Sequence, residues 1–382
     1  MAQNTLTNLI PSLYASMDII SRELVGAIPC ATLSAEVARA AVGQTVYSYN
    51  SNASAATDIT PGVTSPDDGE QSFGSTPLQI TKARRVPFRW NGEQQRALNN
   101  GGPGYQALRG SQMVQAMRTL VNEMEVDVVR AAYLASSRAV GTAGTTPFAS
   151  GVGDSAQLRK VLDDNGCPLG SRSVIIDTSA GANIRTNTQL TKANEAGTTM
   201  TLRDGEIVDL HGMSYHESAA VSQVAKGTGT GYTSNTAGYA AGATDITLIT
   251  GSGTVLAGDI VTFAGDTNQY VVAVGAAGPG VISLAAPGLR KAIPASATAM
   301  TIVASSVRNV AFHQSALVLA TRAPALPEEG DSAADRMIIT DPRSGISFEV
   351  SMYPQYRQML YEVAIAWGVK GIKPAHSAIL LG

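Results

Sequence analysis

Between positions 105 and 140, apolar residues recur at steps of three and four: Met113, Met117, Leu120, Met124, Val128, Ala131 and Ala135. Neither glycine nor proline interrupts positions 111–140, and this spacing predicts one helix with one apolar face. At about 1.5 Å of rise per residue, such a helix is on the order of 50 Å long. That exceeds the width of a small domain, so the rest of the chain has to be laid along it as along a strut. Its methionines read as packing, because an unbranched thioether fills irregular gaps.

The strut sits in a chain of 382 residues, long enough for two or three compact units. Hydrophobic residues make up 44% and charged ones only 15%, against about 25% charged in ordinary soluble domains. A surface so poor in charge needs cover, and neighbouring copies of the chain are the simplest cover. The net charge of -3 argues against sequence-specific DNA binding, which relies on a basic excess or stripe to neutralise phosphates. Two cysteines, Cys30 and Cys167, cannot make a disulfide framework or a four-thiolate metal site, and read as inert and buried. The first basic residue is Arg22, and no apolar run approaches about 20 residues. No secretory signal and no membrane contact are therefore expected, and cytosol-like conditions are.

Leu13, Met17, Ile20 and Leu24 form a short amphipathic stripe that closes near Gly26 and Pro29. From about 50 to 104 the texture turns to Ser, Thr, Gly, Pro and Asp with alternating stretches, which predicts a long hairpin with a polar tip near Pro66 to Gly69. Such a hairpin is marginal alone and wants a partner surface. Asp154 with Gln157 resembles a capping box, Val174 to Ile176 a buried strand, and 179–196 a partly helical segment. From 222 to 305 there is no helical period and only six charged residues, with short glycine-punctuated strands that predict a small inserted barrel or sandwich. Beyond it, strands flank Asp341-Pro342-Arg343-Ser344-Gly345, a hairpin connection, and 358–369 is a further apolar strand.

Chemistry is sparse. Gly227 to Gly231 is glycine-rich but lacks the Lys-Ser/Thr and the strand-to-helix setting of a phosphate loop. His211 and His216, five apart, are expected on opposite faces of a strand, and no Cys or carboxylate cluster joins them or His313 and His376. Gly330-Asp331-Ser332 resembles a nucleophile motif, but Ala333 and Ala334 stand where glycine would free the oxyanion-hole backbone. Glu328, Glu329 and Asp331 read as a solvated turn. No enzymatic activity, cofactor or metal is expected.

One charge pattern stands out. The hairpin tip carries Asp58, Asp67, Asp68 and Glu70, and its return limb carries Lys82, Arg84, Arg85, Arg89 and Arg96. The expectation is that this limb meets acids on an adjacent subunit and sets register there. Arg109 and Arg118 on the strut are candidates to face a lumen.

The order arm, hairpin, strut helix, body with an all-β insertion and β-rich close resembles the major capsid proteins of tailed double-stranded-DNA bacteriophages, with the Hong Kong 97 fold. The likeness spans nearly the whole chain. It is sharpest in NVAFHQSALVLATRAP (309–324) and YEVAIAWGVKGIKPAHSAIL (361–380), and GEIVDLHGMSYHES (205–218) is similar to the segment before the insertion in the short-tailed-phage branch. The resemblance implies an α+β chain with an N-terminal arm (1–49), an E-loop hairpin (50–104), a spine helix with peripheral and first axial parts (105–221), an inserted β-barrel (222–305) and the remaining axial and peripheral strands (306–382). It also implies self-assembly as hexamers and pentamers into an icosahedral virion shell in the host bacterial cytoplasm. Its partners would be a scaffolding protein, a portal protein, a cement or decoration protein, and packaged DNA bound without sequence reading. The crosslink that some members form from an E-loop lysine is not carried over to Lys82, because no partner residue is matched. A cargo-enclosing compartment shell of the same fold and an α/β hydrolase-like enzyme are the competing readings.

Overall fold

The computed structural model describes residues 10–23, 26–51, 56–59, 61–64, 73–100, 104–192, 204–205, 207 and 209–382. Helix α1 (Ile10–Glu23) buries Leu13, Met17 and Ile20 on one face, as their spacing predicts; Leu24 lies outside the described residues. Strand β1 (Thr32–Ala40) follows, then β2 (Thr45–Ser51), β3 (Phe73–Gln79), β4 (Lys82–Asn91), α2 (Gly92–Asn99) and α3 (Tyr105–Leu134). The middle of the chain forms β5 (Arg138–Val140), α4 (Gly153–Asp164), β6 (Arg172–Ile176), α5 (Thr178–Thr186), α6 (Thr188–Thr191), β7 (Ser214–Glu217) and β8 (Gln223–Val224). Short strands β9 (Asp245–Leu248), β10 (Ile260–Phe263), β11 (Gln269–Val274), β12 (Gly280–Leu284) and β13 (Met300–Ile302) come next. The chain closes with β14 (Ser306–His313), β15 (Leu317–Pro324), β16 (Asp335–Thr340), β17 (Ser347–Gln355), β18 (Gln358–Gly371) and β19 (Ser377–Leu381).

The strut helix is real but shorter than its periodicity predicts. Met113, Met117, Leu120, Met124 and Val128 are buried along it, and it ends at Leu134, so 30 residues make about 45 Å. Tertiary pairing ends it. Ser137 donates its N–H to the Ser377 carbonyl at 3.1 Å, and the next three residues become β5, laid parallel to β19. The Asp154 capping box does not form: α4 begins at Gly153 with no side-chain cap, and the Asp154 carboxylate instead accepts the Phe148 N–H at 2.7 Å. A reciprocal box is found at α2, between Asn91 and Gln94.

Two sheets pack against α3. In one, β18 is the centre. Residues 358–364 pair with both β17 and β4, which therefore occupy opposite edges, and residues 366–371 take β15 on the β17 side. β1 adds to β15 in parallel, and β16 to β17 by the hairpin expected at 341–345. Alternation sorts the faces: Val363, Ile365 and Trp367 join the main core with α3, while Ala366 joins a small cluster with Leu78 and Ile80 on the other side. The second sheet runs β13-β10-β11-β5-β19-β14-β6-β7. Its β14 and β19 send Val310, Phe312, Ile379 and Leu381 to α3, and Ala311, Ala378 and Leu380 to a core shared with α4 and α5.

Residues 222–305 contain strands and no helix, with their own apolar cluster around Tyr232, Phe263, Tyr270 and Ile282. They are not detached from the body, since β11 pairs with β5 and so continues the second sheet.

Candidate assembly interface

The sequence predicts a single hairpin over 50–104; the structure divides that stretch. β2 and β3 pair from Thr45↔Gln79 to Ser51↔Phe73, and β4 then leaves them to pair with β18 for ten residues. Ile80 N–H to the Gln44 carbonyl (3.0 Å) closes the base of the hairpin, which is rooted on the sheet by Thr81 N–H to the Trp367 carbonyl (3.0 Å) and Lys370 Nζ to the Pro77 carbonyl (2.8 Å). The approach is so close that a Cβ on Gly368 would lie 2.0 Å from the Gln79 carbonyl oxygen. Beyond the root its apolar side chains are bare among the described residues: Tyr47 is 57% exposed, Ile59 97% and Val63 107%.

The basic limb finds acids in its own chain, where the sequence expects Lys82, Arg84 and Arg85 to meet those of a neighbour. Because β4 is paired beside α3, Lys82 Nζ reaches Glu123 (3.0 Å) and Asp127 (2.8 Å), and Arg84 Nε reaches Glu123 (3.1 Å). Arg85 meets Glu362 of β18 at 2.5 Å. Asp127 also accepts the indole N–H of the fully buried Trp367 at 2.9 Å. Glu123 and Asp127 stand one helical turn apart on the same face of α3, but in the sequence they look like a solvated helix face. Arg89 is exposed and has no ion-pair partner among the described residues. Asp67, Asp68 and Glu70 lie outside the described residues.

The strut also clasps the arm. Glu125 accepts the N–H groups of Ala27 (2.6 Å) and Ile28 (3.0 Å) and the Ser218 hydroxyl (2.9 Å). Arg118, a lumen candidate, forms a two-pronged pair with Glu23 at 2.8 and 2.6 Å. The other, Arg109, lies over the Tyr105 ring at 5.3 Å. Tyr105 edges against Trp90 and shares a 3.3 Å contact with the Tyr361 hydroxyl; burial first, then that contact, pushes its hydroxyl up to about 12. In the sheet centred on β18, buried Glu349 is gripped by Arg39 of β1 and Arg336 of β16, the latter at 2.8 Å.

The remaining sequence candidates are occupied structurally. Gly227 donates its N–H to both Asp259 oxygens (3.0 and 3.1 Å), so the chain's own carboxylate sits where a phosphate would. His211 and His216 do not share a strand: His211 is in a turn at φ +53° beside Ser155 Oγ (2.9 Å), and His216 is in β7. Asp331 holds Arg336 and the Tyr353 hydroxyl. Cys30 and Cys167 are free and buried, and burial raises both thiols. Among the described residues, no three His, Cys, Asp or Glu side chains gather as metal ligands, and no helix is long and apolar enough to cross a membrane.

No protein-family model and no curated protein matches the sequence. Solved structures do. The chain aligns with one from the capsid structure of the cyanophage P-SCSP1u at a TM-score of 0.50 and 12% identity, over 92% of this chain and 86% of that one. A chain of Mycobacterium phage Che8 aligns at 0.45 and 13% identity (88% and 84% covered), and a virus-like particle from Pyrococcus furiosus at 0.44 and 9% (97% and 99%). The mixed α+β architecture described above is thus the fold of a phage capsid chain.

Proposed function

We propose that this chain is the major capsid protein of a tailed double-stranded-DNA bacteriophage, with the Hong Kong 97 fold and an inserted small β-barrel at 222–305. One observation carries the reading: a chain whose fold is that of the cyanophage capsid protein also extends a hairpin whose Ile59 and Val63 are left bare. Docking on copies of itself removes that apolar area from water at about 25 cal/mol per Å². The rigid body, with the α3 strut locked to β4 by Lys82 and Arg84 and to the arm by Glu125 and Arg118, keeps its shape from site to site, while the hairpin adapts to hexamers and pentamers. Arg89 and the tip acids Asp67, Asp68 and Glu70 are the residues proposed to pair between subunits. Arg109 and Arg118 are proposed to face the lumen, next to DNA held without sequence reading. Scaffolding, portal and decoration proteins are the proposed partners, and the virion the proposed location.

Purified protein should form closed shells in negative-stain electron microscopy and sediment as large particles. A species that stays monomeric at high concentration and low salt, with its hairpin protected from protease, overturns the reading.

A further inference from the structure

The seam between the inserted strands and the body contains a pocket of about 300 Å³. Arg138 of β5, Gln157 and Lys160 of α4, and Thr267, Asn268 and Gln269 at the entry to β11 line it, together with apolar and glycine positions. The polar lining is two cations and four neutral side chains, with no carboxylate.

Its cations are poorly matched within the chain. Arg138 is only 4% exposed. Its Nη2 contacts to Val161 O (3.3 Å), Asp164 Oδ2 (3.3 Å) and Asn165 Oδ1 (3.2 Å), and Nη1 to Asn268 Oδ1 (3.4 Å), are all long beside the roughly 2.7–2.9 Å of a good charge-assisted bond. Its Nε is buried with no partner. Burial depresses the guanidinium, with Arg290 pushing the same way, against the opposing pull of Asp164. Lys160 is exposed and makes no ion pair among the described residues. Gln269 spends its amide N–H on the Gly141 carbonyl (2.9 Å), while its Oε1 is buried without a donor.

We propose that this seam pocket binds a small oxyanion of the phosphate class between Arg138 and Lys160. Gln157 and Thr267 add neutral donors, and a protonated phosphate oxygen supplies the donor that Gln269 Oε1 lacks, which favours hydrogen phosphate over a simple carboxylate. Because Arg138 and Lys160 belong to the body and Thr267 and Gln269 to the insertion, a bound anion fastens the two beside the Gln269↔Ala139 and Tyr270↔Arg138 pairs. The inference is independent of the shell reading, since both sides of the seam lie in one chain.

The test is a titration of unassembled subunits with inorganic phosphate at constant ionic strength, read by phosphorus NMR line width and by the thermal midpoint. Saturable broadening and a rising midpoint are expected. Lys160→Gln, an exposed change that leaves the unliganded midpoint in place, should weaken both by about tenfold, the loss of one charge-assisted contact. A parallel arm with short duplex DNA separates the sources: a Lys160-dependent response to DNA but not to free phosphate overturns the small-anion site, because a phosphodiester carries no proton for Gln269 Oε1. No response to either probe, or a response that Lys160→Gln leaves unchanged, overturns it.

Discussion

Asp127 holds two donors: the Trp367 indole N–H, which has no other acceptor among the described residues, and the Lys82 ammonium, which it shares with Glu123. Asp127→Ala strands a fully buried indole, and is expected to lower subunit stability by about 2 kcal/mol in urea unfolding. Asp127→Asn, which still accepts from the indole, is expected to recover about half. A second residue-scale prediction concerns pH. His313 and His376 meet edge-to-face at 6.0 Å, with Ser315 Oγ near both Nδ1 atoms. Burial, with Arg172 and Lys373 nearby, depresses both imidazoles, and burial does the same for His216. The unfolded chain takes up these protons near pH 6.5, whereas the fold resists them. Their contribution is therefore full above about pH 6.5 and is lost as pH falls through the lower folded values. The urea midpoint should drop between pH 7 and pH 5, and the double change His313→Asn, His376→Asn should flatten that slope, leaving the part due to His216.

At the scale of elements, Gly368 is the point where hairpin and sheet touch. Gly368→Ala pushes a methyl against the Gln79 carbonyl and lifts β3 off β18, at about 1–3 kcal/mol for overpacking. Limited proteolysis should then cut the hairpin root at 79–81 faster, while the β6–β14 ladder keeps its hydrogen-exchange protection. How far such elements can be read from sequence depends on whether their cause is local. The α3 stripe, the α1 face, β6 and the β16–β17 hairpin are legible, because period and turn chemistry sit within a dozen residues. The end of α3 is not: Ser136 and Ser137 carry no glycine or proline signal, and the helix stops because β19, some 240 residues away, recruits the chain. For the same reason the cations of β4 are visible as a group, but their acids on α3 are not. Pairing β4 with β18 is what lays Lys82 over Asp127, and register between distant segments leaves no local mark.

For the whole molecule, assembly should be separable from folding. Ile59→Asp and Val63→Asp alter side chains that stand bare among the described residues of the subunit. The unassembled subunit should keep its circular dichroism and its unfolding free energy within about 0.5 kcal/mol, while shell yield in electron microscopy collapses. Subunits that lose stability with these changes, or shells that form normally, would show that the hairpin is not the adhesive element. The position of β19 bears on timing. It is wholly buried between β5 and β14, so residues 377–381 leave the ribosome after nearly every segment they brace. A nascent chain therefore keeps an open slot in the middle of its second sheet until translation has passed that point.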